Sequence, residues 1–215
     1  VMGTTMSVAA WGTAADTALL AGALRAAQDS VERIDALMQR GARLTLLDSV
    51  QRDLRVRTGV KTLPESLASG YALDRAALAL AVVADSALLD LGGQYLWVGP
   101  LGRLTHRTVG IPDPENSLRA LGAVELRSGS VRTQPHSPDH RGPARSVTVL
   151  AGDALTAHAW SIAFFAVGCD SAFAVAASLG GRISVVCADA DGIRWTRDLD
   201  KLVTVPETLP PARAP

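Results

Sequence analysis

The chain has 215 residues, of which 48% are hydrophobic and 20% are charged, and its formal net charge at neutral pH is zero. This composition is typical of a folded globular protein that is large enough to bury a core without disulfides or metals. Because the charges balance, the sequence lacks the basic excess of nucleic-acid-binding proteins. We therefore expect neither a nucleic-acid nor a membrane partner, whereas a homodimer is compatible with the charge.

The first half of the chain alternates between strand and helix patterns. A strand is predicted within residues 2–12, where β-branched and small residues lie between turn signals. A long amphipathic helix is predicted from Asp16 to Arg40, because apolar residues recur at steps of three and four. Residues 44–63 are predicted to form two short strands around a polar turn. An alanine-rich helix is predicted for residues 65–84.

The second half of the chain is richer in strands. The predicted strands are 86–93, 94–100, 105–111, 123–133, 146–151, 183–192 and 193–199, and the predicted helices are 156–168 and 171–181. Helices that alternate with adjacent strands favour a mixed α/β (α+β) fold. We predict one compact domain over residues 1–205 and a proline-rich, mobile tail over residues 206–215.

The two cysteines, Cys169 and Cys187, lie in apolar stretches and are predicted to be buried, unpaired thiols. Two cysteines are too few for a disulfide framework or a cysteine-ligated metal. No segment reaches the roughly 18 consecutive apolar residues that a membrane-spanning helix needs. Because the sequence also opens without a recognisable secretion signal, a cytoplasmic location is the default expectation.

Six segments of the chain form a recognisable series. They are MGTTMSV (2–8), SVERIDALM (30–38), ASGYALDRAA (68–77), LLDLGGQ (88–94), SGSVRT (128–133) and SVTVLAGDALTAHAWSIAFFAVG (146–168). In this order they resemble the FAD:protein FMN transferases of the ApbE type, which move FMN from FAD onto a threonine of a target protein. The resemblance implies a mixed α/β fold, which agrees with the pattern of predicted strands and helices.

The metal site that the resemblance implies is altered in this sequence. Family members place an aspartate and, four residues later, a threonine at the start of the helix after the SVTV strand, so that both oxygens face one Mg²⁺ ion. Those two positions hold His158 and Ile162 here. An imidazole and a branched alkyl group do not replace oxygen ligands. We therefore expect no cofactor, and FAD with Mg²⁺ only if the family's activity survives in altered form.

The flavin pocket that the resemblance implies is altered as well. In the family a glycine pair and a lysine precede the second helix, and in this sequence Glu65, Ser66 and Ser69 take their places. A section of several tens of residues after the first helix is shortened to a brief link. The family's SVAT strand, followed by a Ser-Gly turn, is here an SVRT strand that ends at Thr133 and continues into Gln134.

Other parts of the pocket are retained. The family's histidine loop survives in reduced form around His136, Asp139 and Gly142. Together with His140, the first two residues could in principle bind zinc, although loop histidines are usually solvated. The residues retained in full are Tyr71, Asp74, Gly92 and Gly93.

We predict that Glu65 and His158 form an acid/base pair in the altered pocket. A carboxylate near a helix N-terminus is stabilised as the anion, and an imidazole titrates near neutral pH. The alternatives are that Glu65 only caps its helix and that His158 is buried and bonded to a carbonyl group. Trp97 and Trp160 form an aromatic wall or pack in the core. The residues predicted to bind substrate are Ser66, Ser69, Tyr71, Asp74, Gly92, Gly93, Trp97, Thr133, His136 and Trp160.

Three functions are compatible with these residues. The first is a metal-independent enzyme that acts on a small, flat organic substrate by acid/base catalysis, such as an amine–aldehyde condensation or a ring closure of the Pictet–Spengler type. The second is an FAD-binding protein or FAD:protein FMN transferase with an altered site. The third is a non-catalytic partner protein that keeps the fold for association.

Overall fold

The computed structural model describes residues 2–12, 17–99, 107–113, 116, 119–126, 128–134 and 142–205. The helices are α1 Thr17–Gln39, α2 Thr45–Thr58, α3 Pro64–Leu80, α4 Ala154–Val167 and α5 Cys169–Ser178. The strands are β1 Met6–Trp11, β2 Ser86–Leu91, β3 Gln94–Val98, β4 Arg107–Pro112, β5 Ala120–Leu126, β6 Gly129–Gln134, β7 Ser146–Ala151, β8 Ile183–Asp189, β9 Gly192–Trp195 and β10 Val203–Thr204. The predicted mixed α/β fold is confirmed.

The strands form two antiparallel sheets. Seven strands pair in the order β1-β2-β3-β6-β7-β8-β9, and a smaller sheet has the order β10-β5-β4. The helices cover one face of the large sheet and the small sheet covers the other, so the protein has two hydrophobic cores. Strand β8 divides its side chains between them: Val185 and Cys187 face the helices, whereas Val186 and Ala188 face the small sheet.

The prediction of two strands in residues 44–63 is wrong, because most of this segment is helix α2. Leu47 and Leu54 are both fully buried, and their spacing of seven residues places them on one helix face. Arg57 pairs with Asp53 across one turn, with 2.7 Å between Nε and Oδ1. Gly59 ends the helix at φ 74°, a conformation that glycine adopts without strain.

The predicted strand over residues 123–133 is in fact two strands in different sheets. Strand β5 belongs to the small sheet and β6 to the large one. The chain changes sheet at Gly129, whose φ is 78° and which lies so close to β7 that a Cβ would be 2.3 Å from the Ala151 carbonyl oxygen. The alternation of apolar and polar residues runs through both strands, so it did not reveal the break.

The prediction of two unpaired thiols is also wrong. Cys169 begins α5 and Cys187 lies in β8, and they form a disulfide with 5.6 Å between their Cα atoms. Both residues are buried, as expected. They are paired because α5 packs along β8, a contact that their sequence positions do not reveal.

Two further findings concern the C-terminal region and the helices. Strand β10, which pairs with β5, was not predicted. The predicted tail, residues 206–215, lies outside the described residues, so its extent stays a prediction. Among the described residues, no helix combines the length and the apolar character that crossing a bilayer requires.

Candidate functional site

Helices α3 and α4 meet so closely that they form one fixed junction. At Gly70 an added Cβ would lie 2.8 Å from the Ala154 carbonyl oxygen and 2.9 Å from the Leu155 Cα. One turn later along α3, the carboxylate of Asp74 accepts the N–H groups of Ala154 and Leu155, at 2.7 and 2.9 Å. Asp74 therefore holds the first turn of α4.

Burial raises the pKa of Asp74 to about 6, because desolvation outweighs the two backbone hydrogen bonds that favour the carboxylate.

The side chain of Asp153 completes the start of α4, since its Oδ1 accepts the N–H of Thr156 at 2.7 Å. The predicted helix is confirmed, and its N-cap is Asp153, so it begins two residues before the predicted start.

His158 lies on α4 at the centre of a buried hydrogen-bond network. Its Nδ1 is 3.0 Å from the Oγ of Ser69 and 3.0 Å from the Oε1 of Gln94. Because an amide oxygen only accepts, Nδ1 carries the proton. The Nε2 of Gln94 donates in turn to the Ala154 carbonyl oxygen at 2.6 Å and to the Oγ of Ser130 at 3.3 Å.

The environment of His158 keeps its ring neutral. Desolvation by burial, and secondarily the positive charge of Arg132, lower the pKa of His158 to about 3. Only 7% of the residue is exposed. A neutral, buried imidazole favours the alternative that His158 is a structural residue over the predicted acid/base role. Its partners are the amide of Gln94 and the hydroxyl of Ser69.

The two altered metal positions do not fit Mg²⁺. The ring of His158 is engaged by Ser69 and Gln94, and Ile162 is a half-buried alkyl group packed against the main core. Mg²⁺ requires oxygen donors in octahedral geometry. In the described part of the chain, no group of three or more His, Cys, Asp or Glu side chains could hold a metal ion.

A candidate residue that the sequence analysis did not identify is Arg132, on β6. Its Nη1 donates to the Gly92 carbonyl oxygen at 2.6 Å, and its Nε is buried without a hydrogen-bond partner among the described residues. Burial lowers the pKa of Arg132, and the nearby negative charge of Asp90 opposes that shift. The available signal was the SVRT segment, in which arginine takes the alanine place of the family's SVAT strand.

A cavity of about 230 Å³ lies where the β2–β3 turn meets β4 and β6. We call it the glycine-pair cavity. It brings together three predicted binding residues, Gly92, Gly93 and Thr133, and adds Arg132 and Tyr95. Burial and the charge of Asp90 raise the pKa of Tyr95. The complete lining is Gly92, Gly93, Tyr95, Val109, Gly110, Pro112, Val131, Arg132 and Thr133.

A larger cavity of about 810 Å³, the α2–α4 cavity, opens on the other side of α4. Of the predicted site residues it includes only Trp160, whose ring packs against Phe164 with centroids 5.1 Å apart. It was not predicted because its wall is formed by α2, which was interpreted as strands. The complete lining is Ser49, Val50, Asp53, Leu54, Gly152, Asp153, Thr156, Trp160, Leu179, Arg182 and Ile183.

The remaining predicted residues are dispersed. Glu65 is exposed in the first turn of α3 and lines neither cavity, and the Oγ of the exposed Ser66 donates to the Leu63 carbonyl oxygen at 2.7 Å. Tyr71 packs against the main core. Trp97 packs in the core between the two sheets and contacts Trp11, with ring centroids 5.5 Å apart. The predicted loop residues His136, Asp139 and His140 lie outside the described residues.

Comparison with known proteins shows the family. The sequence model of the ApbE family matches residues 2–138. The chain belongs to the ApbE family. No curated protein sequence matches it. The fold is similar to that of solved ApbE structures.

The ApbE protein of Thermotoga maritima is 20% identical, with a TM-score of 0.52 over 93% of this chain and 78% of that one. The flavin transferase ApbE of Vibrio cholerae is 15% identical, with a TM-score of 0.51 over 82% and 75% of the two chains. A histidine-to-glycine variant of the Vibrio protein gives 0.57 over 91% and 94%, again at 15% identity. At these identities the likeness shows the fold.

Proposed function

We propose that this ApbE family member binds a flavin at the glycine-pair cavity and does so without a magnesium ion. The observation that carries the proposal is the convergence of Gly92, Gly93 and Thr133, all assigned to binding from the sequence, at one cavity. The similarity in fold to the flavin transferase of Vibrio cholerae supports the choice of ligand. This is the second of the three functions compatible with the sequence.

The shape of the glycine-pair cavity suits one flat ring system and not a whole dinucleotide. Gly93 presents backbone to open space, which allows close approach of a ligand, whereas the space beside Gly92 is filled by the side chain of Thr4. Tyr95 supplies an aromatic surface, and Val109 and Val131 supply apolar ones. At about 230 Å³ the cavity is below the usual size of a cofactor site, so the rest of a flavin nucleotide would extend beyond it.

Binding, and not FMN transfer, is the activity that we propose. Cleavage of the FAD pyrophosphate is a phosphoryl transfer, in which metal ions bridge the phosphates and neutralise the developing charge. The residues at the family's metal positions here are a bonded, neutral imidazole and an alkyl group. We derive no catalytic step through a metal for this chain.

The test is a fluorescence titration of the protein with riboflavin, with and without Mg²⁺. We expect saturable binding that Mg²⁺ does not change. The variant Tyr95→Ala should weaken it about tenfold, because it removes the aromatic surface of the cavity. Trp11→Ala is the control, because Trp11 is an exposed aromatic residue that lines neither cavity. Equal affinity of the two variants would refute this location.

The metal-independent condensing or cyclising enzyme remains a second proposal. It is supported by the α2–α4 cavity, whose volume of about 810 Å³ suits a small organic substrate. Its predicted pair, Glu65 and His158, lines neither cavity, which counts against those residues. If Glu65→Gln left the turnover of an identified amine and aldehyde unchanged, the assignment of Glu65 would be lost.

A non-catalytic partner role and a homodimer also remain proposals. Both are tested by measuring the molecular mass of the protein in solution.

The cellular location is likewise a proposal. The sequence pointed to the cytoplasm by default, but the Cys169–Cys187 disulfide favours an oxidising compartment. We infer that the chain folds where disulfides form. Alkylation of the protein in fresh cell extracts, followed by mass measurement, tests this. Two alkylated cysteines would place the folded chain in a reducing compartment, and none would place it in an oxidising one.

A further inference from the structure

Arg132 carries a partly buried charge that its protein neighbours only partly satisfy. A guanidinium has five N–H donors. One is paired with the Gly92 carbonyl oxygen, and the buried Nε has no partner among the described residues. The carboxylate of Asp90 acts on Arg132 through its charge, while its Oδ1 accepts the N–H of Gly93 at 2.9 Å. The Nε is enclosed by protein, so an anion that bound here would pair with the terminal N–H groups.

The position of Arg132 relates it to the altered metal site. Side chains alternate along a strand, so Arg132 shares a face of β6 with Ser130 and Gln134. Both neighbours are linked to α4: Ser130 through Gln94 and the Ala154 carbonyl oxygen, and Gln134 by donating from Nε2 to the Oγ of Ser161 at 3.1 Å. Arg132 therefore lies on the face of the sheet that α4 covers.

The charge of Arg132 reaches the altered metal site, and the residue also borders the glycine-pair cavity, although Val131 and Thr133 line that cavity from the opposite face of β6. His158, at the former aspartate position, lies within the electrostatic reach of Arg132, because that guanidinium contributes to the lowering of the pKa of His158. Arg132 also lines the glycine-pair cavity. It is thus the cation that adjoins both the proposed ring site and the altered metal site.

We propose that Arg132 binds the phosphate of a flavin nucleotide, supplying in this chain the positive charge that family members take from a metal ion. The inference rests on the proposed flavin binding and names its ligand class: FMN or FAD, and not riboflavin. Arginine suits the role because its planar fork of donors pairs with two phosphate oxygens at once. The terminal N–H groups of the guanidinium, of which only one Nη1 donor is paired, are the donors available for that contact.

The experiment compares riboflavin, FMN and inorganic pyrophosphate by isothermal titration calorimetry. We expect FMN to bind about tenfold to a hundredfold more tightly than riboflavin. This ratio of dissociation constants corresponds to the usual strength of hydrogen bonds to a charged group. Arg132→Gln should remove that difference and leave the riboflavin affinity unchanged, and Arg132→Lys should retain part of it. Arg182→Gln, in the α2–α4 cavity, removes a guanidinium elsewhere and should change nothing.

The outcomes separate this inference from the proposed function. If riboflavin and FMN bind the wild-type protein equally, Arg132 has no phosphate role, although flavin binding stands. If no flavin binds, the proposed function fails and pyrophosphate decides: binding that Arg132→Gln abolishes supports an anion site, and no binding overturns it. Arg132→Lys keeps the test valid if Arg132→Gln is unfolded, because it retains the charge.

Discussion

The two sides of α4 differ in how much room they leave. On the side of α3, Gly70 brings the two helices into backbone contact, and Asp74 and Ser69 bond directly to α4 or its side chains. On the side of α2, Thr156 and Trp160 border a cavity of about 810 Å³. The same helix is thus fixed on one side and open on the other. A ligand that uses α4 has space on the α2 side, whereas the α3 side accepts substitutions only at a cost.

The largest expected effect is on the closed side. Gly70→Ala places a methyl group within 3 Å of two backbone atoms of α4, so the helices must separate, and we expect a loss of about 3 kcal/mol in the free energy of unfolding. Gly152→Ala is the control on the open side, where an added Cβ meets nothing within 4 Å, and should change stability by less than about 0.5 kcal/mol. Urea denaturation measures both. Equal losses would mean that α4 is not held more tightly on the α3 side.

The next effect concerns the outer wall of the open side. The disulfide ties α5 to β8, and the residues that follow α5 line the α2–α4 cavity. Replacing both cysteines by alanine should cost about 3 kcal/mol, the loop-closure entropy for a separation of 18 residues. The single substitution Ser178→Ala on the exposed surface of α5 is the control. A double variant as stable as wild type in urea would show that packing alone holds α5 in place.

The smallest effect is a pH dependence on the closed side. The folded-state pKa of Asp74, about 6, lies above its ordinary value of 3.8, so the folded protein binds this proton more tightly than the unfolded chain does. The stabilising contribution is therefore complete below pH 4 and is lost as the pH rises through 6. Relative to Asp74→Asn, the wild type should lose about 2 kcal/mol between pH 4 and pH 7.

Asp191→Asn provides the comparison for that measurement, because Asp191 is an exposed acid in the β8–β9 turn. A loss for Asp74→Asn no larger than the one for Asp191→Asn would show that the carboxylate of Asp74 is ionised in the folded protein throughout, and that its two backbone hydrogen bonds outweigh its burial.

More of the closed side of α4 than of its open side could be predicted from the sequence. Helices α3 and α4 were predicted because alanine-rich and apolar runs favour helix whatever surrounds them, and Asp74 and the glycine pair were identified through the family resemblance. Helix α2 was not predicted, since its threonine, leucine and valine residues also suit strands, and only the burial of Leu47 and Leu54 distinguishes the two.

The details of the candidate site depend on contacts between distant segments. His158 is neutral because the fold buries it, and its hydrogen-bond partners, Gln94 and Ser69, are 64 and 89 residues away in sequence. That Arg132 is incompletely paired follows from its burial beside Gly92, 40 residues away. Residue type gave the chemistry available at these positions, but protonation and pairing are properties of the assembled fold.

Strand β10 has a consequence for how the protein is made. Its residues 203–204 pair with β5, and an added Cβ at Gly122 of β5 would lie 2.6 Å from the Thr204 carbonyl oxygen. Until the ribosome releases this segment, the small sheet has only β4 and β5, and a two-stranded hairpin depends on packing, here against the large sheet, for its stability. Strand β4 contributes Val109, Gly110 and Pro112 to the glycine-pair cavity. That cavity is therefore completed late in synthesis, after helices α1 to α5 have been synthesised.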